Sequence, residues 1–177
     1  FLLPLPKLGL GQVGVPDDSR PCPPLVAKSE RRFLEASWRP TEPLLIHANA
    51  GYSDAQFENY SDAFTGIDRA GNAVPFIPEF TASVGFRYDL PGGFFFGSSV
   101  RGTRKTYYDA ANTEAFSEDG YLVLDAQVGY EQENWSVTIY GRNLLEEDYY
   151  TFINPQIAGG TPGDPQLFGV RVDLDIW

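Results

Sequence analysis

The stretch Gly120–Asp148, GYLVLDAQVGYEQENWSVTIYGRNLLEED, constrains the fold more than any other part of the chain. Read in twos, it puts Leu122, Leu124, Ala126, Val128 and Tyr130 on one side and Val123, Asp125, Gln127, Gly129 and Glu131 on the other. After a break at Gln132–Asn134, Trp135, Val137 and Ile139 resume the apolar side, while Ser136, Thr138, Tyr140 and Arg142 take the polar one. Strand side chains alternate between the two faces, so the pattern predicts a β-hairpin with one apolar and one polar face. A helix would need apolar residues three or four apart, and this run does not supply them. Strands of about ten residues are long for a soluble sheet and suit a tilted transmembrane strand.

The same alternation recurs from Phe33 onward. Phe33–Arg39 carries Leu34, Ala36 and Trp38 in phase, and Leu44–Gln56 carries Leu44, Ile46, Ala48, Ala50 and Tyr52. Glu79–Leu90 carries Phe80, Ala82, Val84, Phe86 and Tyr88; Phe94–Tyr107 carries Phe94, Phe96, Val100 and Gly102. Pro165–Trp177 closes the series with Phe168, Val170, Val172, Leu174 and Ile176. Seven strands result, joined alternately by short turns and long loops. The turns are at Pro40–Pro43, Pro91–Gly93 and Gln132–Asn134, and the loops at 57–78, 108–119 and 149–164. Turns on one rim and loops on the other match an antiparallel outer-membrane barrel, with its short periplasmic turns and long extracellular loops. Mid-strand charges (Arg87, Arg101, Asp125, Arg171 and Asp173) all fall on the polar phase. An Arg or Lys facing lipid near the midplane would cost about 2–4 kcal/mol, so membrane burial enforces that segregation. A soluble sheet wet on one face would show it too, and only strand length, loop alternation and aromatic placement separate the two. Trp38, Tyr88 and Trp135 sit by the short turns and Tyr107 and Tyr108 by a long loop, the distribution expected of two interfacial girdles.

Residues 1–30 follow different rules. Six prolines, at positions 4, 6, 16, 21, 23 and 24, oppose a helix or an inner strand, so an irregular Pro/Gly-rich segment is expected there, ahead of a barrel region over 31–177. Gly9, Gly11 and Gly14 match G-x-G-x-x-G, but no helix can start in register after them, and a dinucleotide site is not expected. With 24 acidic and 13 basic residues the chain carries a formal charge of −11, which argues against nucleic acid as a partner. A single cysteine, Cys22, excludes an internal disulfide framework. No apolar run approaches the ~20 residues of a membrane helix, which leaves a membrane-spanning barrel open.

Within this frame three segments resemble the C-terminal strands of TonB-dependent outer-membrane receptors. Arg142-Asn143-Leu144-Leu145-Glu146-Glu147-Asp148-Tyr149-Tyr150 is similar to that family's late-strand motif, with Asn143, Leu144, Tyr149 and Tyr150 as its marks. Gly71-Asn72-Ala73-Val74-Pro75, Pro78 and Thr81-Ala82-Ser83 resemble its loop-into-strand segment, and Gly163-Asp164-Pro165 with Phe168-Gly169-Val170 its approach to the terminal strand. Leu145 stands where an aromatic is common and Gln166 where a basic residue is, and the ending runs one residue past the usual phase. The resemblance implies a bacterial outer-membrane location and a 22-stranded barrel with an N-terminal plug. It further implies uptake of a metal chelate or similar nutrient, energised by an inner-membrane complex. Seven strands would then be about a third of the barrel, with the plug and the remaining strands as partners in the parent chain and outer-membrane lipid around it. The resemblance also implies that the final strand (Phe168, Val170, Val172, Leu174, Ile176, and the aromatic Trp177) signals assembly.

Other readings are weaker on the residues. No catalytic, metal or cofactor site is expected. His47 is the single histidine and has no Ser or Cys motif to pair with, and Glu146, Glu147 and Asp148 read as a solvated acidic turn. Arg101, Arg104 and Lys105 are candidates for an anionic ligand or for salt bridges. The length also permits a self-contained barrel of about eight strands with a structural or passive-pore role, and a secreted β-sheet binding domain or a barrel-embedded hydrolase stands behind it.

Overall fold

The computed structural model describes residues 26–62, 65–157 and 159–175. Cys22, the Gly9–Gly14 motif, Ile176 and Trp177 lie outside the described residues.

Among the described residues eleven strands form in order: β1 (Val26–Thr41), β2 (Leu44–Asn59), β3 (Phe80–Asp89), β4 (Phe94–Thr103), β5 (Thr106–Tyr107), β6 (Ser117–Glu118), β7 (Tyr121–Gln132), β8 (Trp135–Arg142), β9 (Tyr150–Asn154), β10 (Gly159–Pro162) and β11 (Leu167–Leu174). Seven of them make one antiparallel sheet in the order β1-β2-β3-β4-β7-β8-β11, so among the described residues β1 and β11 are its two open edges. Register follows the hydrophobic pattern, because a one-residue slip would turn a strand's whole apolar set to the other face. One row runs Leu44, Tyr88, Phe96, Val128, Ile139, Val170 from β2 to β11. Another runs Ala36, Ala48, Val84, Val100, Leu124 from β1 to β7.

This apolar face is uncovered. Trp38 is 63% exposed, Val84 52%, Ile139 55% and Val170 65%. A water-soluble sheet buries its apolar face against a second layer. Among the described residues that layer is missing, and the fully buried side chains are Val123, Thr138 and Asn143, all on the polar face or in the turn after it. An apolar face spread over seven strands far exceeds the patches soluble monomers expose, and it fits lipid.

The short turns are tight. Two-residue turns link β1 to β2 and β7 to β8, and Gly92 and Gly93, at φ +88 and +93, carry the β3–β4 turn in the left-handed region. The Gly93 carbonyl then accepts the Glu131 N–H at 2.8 Å, tying this turn to the next hairpin.

Several boundaries differ from the sequence reading, and Val26–Glu30 of the segment expected to be irregular over 1–30 is strand. β1 starts at Val26, not Phe33, because Val26–Arg32 finds partners along β2 as far as Asn59. β4 stops at Thr103 rather than Tyr107: the Arg104 N–H bonds the Phe80 carbonyl at 2.9 Å, and Thr106–Tyr107 pairs with Ser117–Glu118 instead. The loop expected over 149–164 holds the β9–β10 hairpin. Its Pro155 falls in the connecting turn, and Pro162 sits at a register shift, so neither interrupts a ladder.

Candidate functional site

The inward face of the sheet is the candidate site. His47 and Leu45 on β2, Arg87 on β3, Gln127 on β7 and Arg171 on β11 line one hollow of about 800 Å³. Strands stand about 4.8 Å apart in a flat sheet, so residues five strands apart share a hollow only because the sheet curls around its polar face. Charges on this face are paired across strands. Arg87 donates to Asp89 at 2.8 Å and to Glu131 at 2.7 Å, and its guanidinium lies 3.8 Å over the Phe95 ring. Phe95 in turn fills the space above Gly129, where a Cβ would fall 2.4 Å from the ring. Arg101 donates to Asp125 at 2.6 Å. Arg104 pairs with Glu79 at 3.6 Å, and Lys105 with Glu114 and with Asp119. All three candidate anion-binding cations therefore have carboxylate partners. His47 packs over Gly85 beside Ser99, and neither it nor Glu146–Asp148 belongs to a group of three or more metal-ligating side chains among the described residues.

The Asn143 turn closes the loop end of this face. Asn143 is 1% exposed at φ +48, a left-handed conformation that Asn tolerates better than most residues. Its Nδ2 donates to the carbonyls of Glu147 (2.9 Å) and Asp164 (3.0 Å), and its Oδ1 accepts the Glu147 N–H at 2.9 Å. Its own N–H donates to Asp125 Oδ1 at 2.9 Å, so Asp125 holds both Arg101 and the turn. Leu144 continues outward: its N–H bonds the Leu124 carbonyl, and its side chain covers Gly141 together with Phe168. Tyr149, 8% exposed, stacks on Tyr121 at 4.1 Å, and Gly163 lies against the Tyr149 ring, with no room for a Cβ. Tyr150 is more exposed, with one side of its ring against Gly160. The motif thus joins β7, β8 and the segment leading into β11.

Beyond the sheet the three long connections brace each other. Asn112 accepts the Ala73 N–H at 2.7 Å and donates to its carbonyl at 3.0 Å, and Asn72 donates to the Ala110 carbonyl at 2.8 Å. Tyr108, 7% exposed, packs edge-on to Phe76 and Phe152 and donates to the Tyr150 carbonyl. Of the aromatics expected at the interfaces, Trp38 and Trp135 stand exposed by the short turns, whereas the Tyr108 ring lies inside this loop cluster. Glu118 accepts the Tyr150 N–H at 3.1 Å; burial raises its pKa, and that hydrogen bond opposes the shift. The Lys105 hydrogen bond lowers the pKa of Glu114, and that bond raises the pKa of Lys105. Sequence reasoning missed Asp125 as the shared acceptor and Asn112 as the loop brace. Asp125 showed only as a polar-phase charge, and an Asn in a loop carries no signal of its distant partner.

Residues 16–144 match the family model described as "TonB dependent receptor-like, beta-barrel". The chain belongs to that family. It is accordingly part of an outer-membrane β-barrel. A ferric-pyoverdine receptor of Pseudomonas sp. (strain M114) is 37% identical over 57 residues, 32% of this chain and 7% of that protein. The ferric yersiniabactin uptake receptor of Yersinia pestis superposes with a TM-score of 0.69 at 22% identity, over 85% of this chain and 24% of that one. The siderophore receptor PiuA of Acinetobacter baumannii gives 0.68 at 21% identity, over 82% and 21%. At this identity the two structures speak for the fold alone, and the chain spans less than a quarter of each.

Proposed function

We propose that this chain forms the C-terminal part of the barrel of an outer-membrane receptor that takes up a ferric chelate. On this reading the strands that complete the barrel and a plug lie in the parent chain, and an inner-membrane complex supplies the energy through that plug. The observation that carries the reading is the inward polar face. Its charges are paired across strands around a hollow, while the outward face of the same strands is apolar and uncovered. The three relatives compared above are ferric-chelate or siderophore receptors, which supports the cargo class. The role is transport; no residue in it acts as a catalyst. The two open edges favour a larger barrel over a self-contained one, since unpaired backbone groups in hydrocarbon cost several kcal/mol each.

The test is uptake of radiolabelled ferric siderophores by cells carrying the full parent gene. Uptake that disappears on collapse of the proton-motive force, and on deletion of the residues equivalent to 26–175, is the expected result. A parent gene that changes neither uptake nor iron-limited growth for any chelate class overturns it.

A further inference from the structure

The outer end of β2 takes a partner from a loop. Residues 71–74 run back along it: the Phe57 N–H bonds the Asn72 carbonyl at 2.9 Å, and the Val74 N–H bonds the Ala55 carbonyl at 2.9 Å. Those two bonds leave the N–H and the carbonyl of Ala73 pointing away from β2, where the side-chain amide of Asn112 meets both. A loop side chain thus stands where a neighbouring strand would. Asn112 is itself held at φ +55, and its N–H bonds the Asp109 carbonyl at 3.2 Å. Further along, Phe76 sits at φ +67 while its N–H bonds the Tyr107 carbonyl at 2.8 Å. A bulky side chain is rare in that conformation, which persists only where the surroundings over-determine it. They do so here, because the Phe76 ring stacks on Phe152 at 5.9 Å and meets the edge of Tyr108. Tyr150 closes the circuit: its carbonyl accepts the Tyr108 hydroxyl, and its N–H donates to Glu118.

We propose that the β2–β3, β4–β7 and β8–β11 connections are one preformed unit on the long-loop rim, which opens as a whole or not at all, with Asn112 as its keystone. Loops held singly open one at a time, at little free-energy cost. These three are held by one another. The Ala73 and Phe76 amides of the first connection and the Tyr150 amide of the third all donate to the second. If the second connection left alone, it would orphan part-buried polar groups on both neighbours, so the cost of opening is shared by all three. The strained backbone of Phe76 supports the same reading, since its compensation comes from the other two connections. The turn at 155–157 is held locally, by the Gln156 N–H on Asn154 at 2.9 Å, and lies outside the unit. On the function proposed above, the unit is a fixed wall of the entrance, and closing over a cargo falls to other parts of the parent chain. The unit itself rests on contacts within this chain and not on the cargo.

The experiment is amide hydrogen exchange of the whole receptor in lipid vesicles, without cargo, read at Phe76, Tyr108 and Tyr150. None of these amides bonds Asn112: they donate to Tyr107, Phe116 and Glu118. Asn112→Gly keeps the positive φ and removes both side-chain bonds to Ala73, and it is expected to speed exchange at all three by one common factor of about tenfold. Asn112→Asp keeps the acceptor for the Ala73 N–H and should speed the same three by a smaller common factor. Asn154→Ala removes only the local bond and should speed Gln156 while leaving the three unchanged. Exchange at Val84, Val100 and Val123 reports whether the sheet is intact; if Asn112→Gly disturbs it, Asn112→Asp carries the test. A rise confined to Ala73 and residues 109–113, with Tyr150 unchanged, overturns the proposal. So does unchanged exchange at all three amides in Asn112→Gly, or an equal rise at all three in Asn154→Ala. Ferric-chelate uptake is a separate readout, so failure of the cargo assignment leaves the exchange result standing.

Discussion

The turn after β8 and the strand β11 are neighbours in the fold and opposites in how they are held. Asn143 is buried, and each of its side-chain polar atoms has a partner within the chain. Val170, Val172 and Leu174 are 58–65% exposed, and among the described residues β11 has a partner strand only on its β8 side. The difference separates two kinds of sequence pattern in a barrel segment. One kind is satisfied locally and fixes the geometry of the loop rim. The other is unsatisfied among the described residues and, on the function proposed above, is completed by lipid and by a further strand.

Asn143→Leu breaks the first region most severely. It leaves the Glu147 N–H and two carbonyls without their partner and puts a branched side chain at a positive φ. With each buried orphan costing about 1–3 kcal/mol, a loss of about 3 kcal/mol or more is expected. Urea unfolding of the receptor in lipid vesicles reads it as a lower midpoint with an unchanged slope. An unchanged midpoint would mean that the turn is not a stabilising unit.

On β11 the sharpest contrast is Val170→Arg against Arg171→Gln. The first puts a cation on the outward row, at an expected cost of about 2–4 kcal/mol near the midplane, and should lower outer-membrane levels sharply. The second loses only an exposed pair to Asp173 at 3.1 Å and should cost about 1 kcal/mol or less. Quantitative blotting of outer-membrane fractions checks both, and equal levels would remove the facing assignment of this strand. By the same argument the assembly role proposed for Phe168, Val170, Val172, Leu174, Ile176 and Trp177 depends on the outward row being apolar throughout.

Much of this was legible in the sequence for a physical reason. Alternation with period two, short turns with Pro and Gly, and charge confined to one phase are local signals, and they placed the seven sheet strands and both faces. Asn143 was visible as part of a motif, but its four hydrogen bonds were not. They reach Asp125 and Asp164, 18 and 21 residues away, and no local pattern encodes that reach. The β9–β10 hairpin was read as loop because Pro155, Gly159, Gly160 and Pro162 are breakers in isolation. In the fold, Gly160 lets the Tyr150 ring lie against its backbone and Pro155 sits in the turn.

Asp125 lets the link between faces and turn be measured. Asp125→Ala removes the acceptor of both the Arg101 guanidinium and the Asn143 N–H, for an expected loss of about 1–3 kcal/mol. Arg101→Gln removes only the first and should cost about 1 kcal/mol or less, given that Arg101 is 44% exposed. A double-mutant cycle that yields no coupling would show the ion pair to be incidental.

The smallest effect is expected at Glu118. Its folded pKa is raised, so between its unfolded and folded pKa values the folded state holds more protons, and stability falls as pH rises through that window. Glu118→Gln keeps an acceptor for the Tyr150 N–H and lacks the buried charge. Hydrogen exchange at Tyr150 should therefore be slower than in the unaltered protein above the window and the same below it. A difference that persists at low pH would assign the effect to something other than the charge.

The central claim is that one phase of every sheet strand meets lipid and the other meets the interior of a barrel. Spin labels at Val84, Val100, Leu124, Val137 and Val172, and at Ser83, Ser99, Gln127, Thr138 and Asp173, in the receptor reconstituted in vesicles test it directly. The account predicts broadening by lipid-soluble oxygen along the first series and not by a water-soluble nickel chelate, with no such preference for oxygen in the second. Labels in the first series that respond to the nickel chelate and not to oxygen would contradict it.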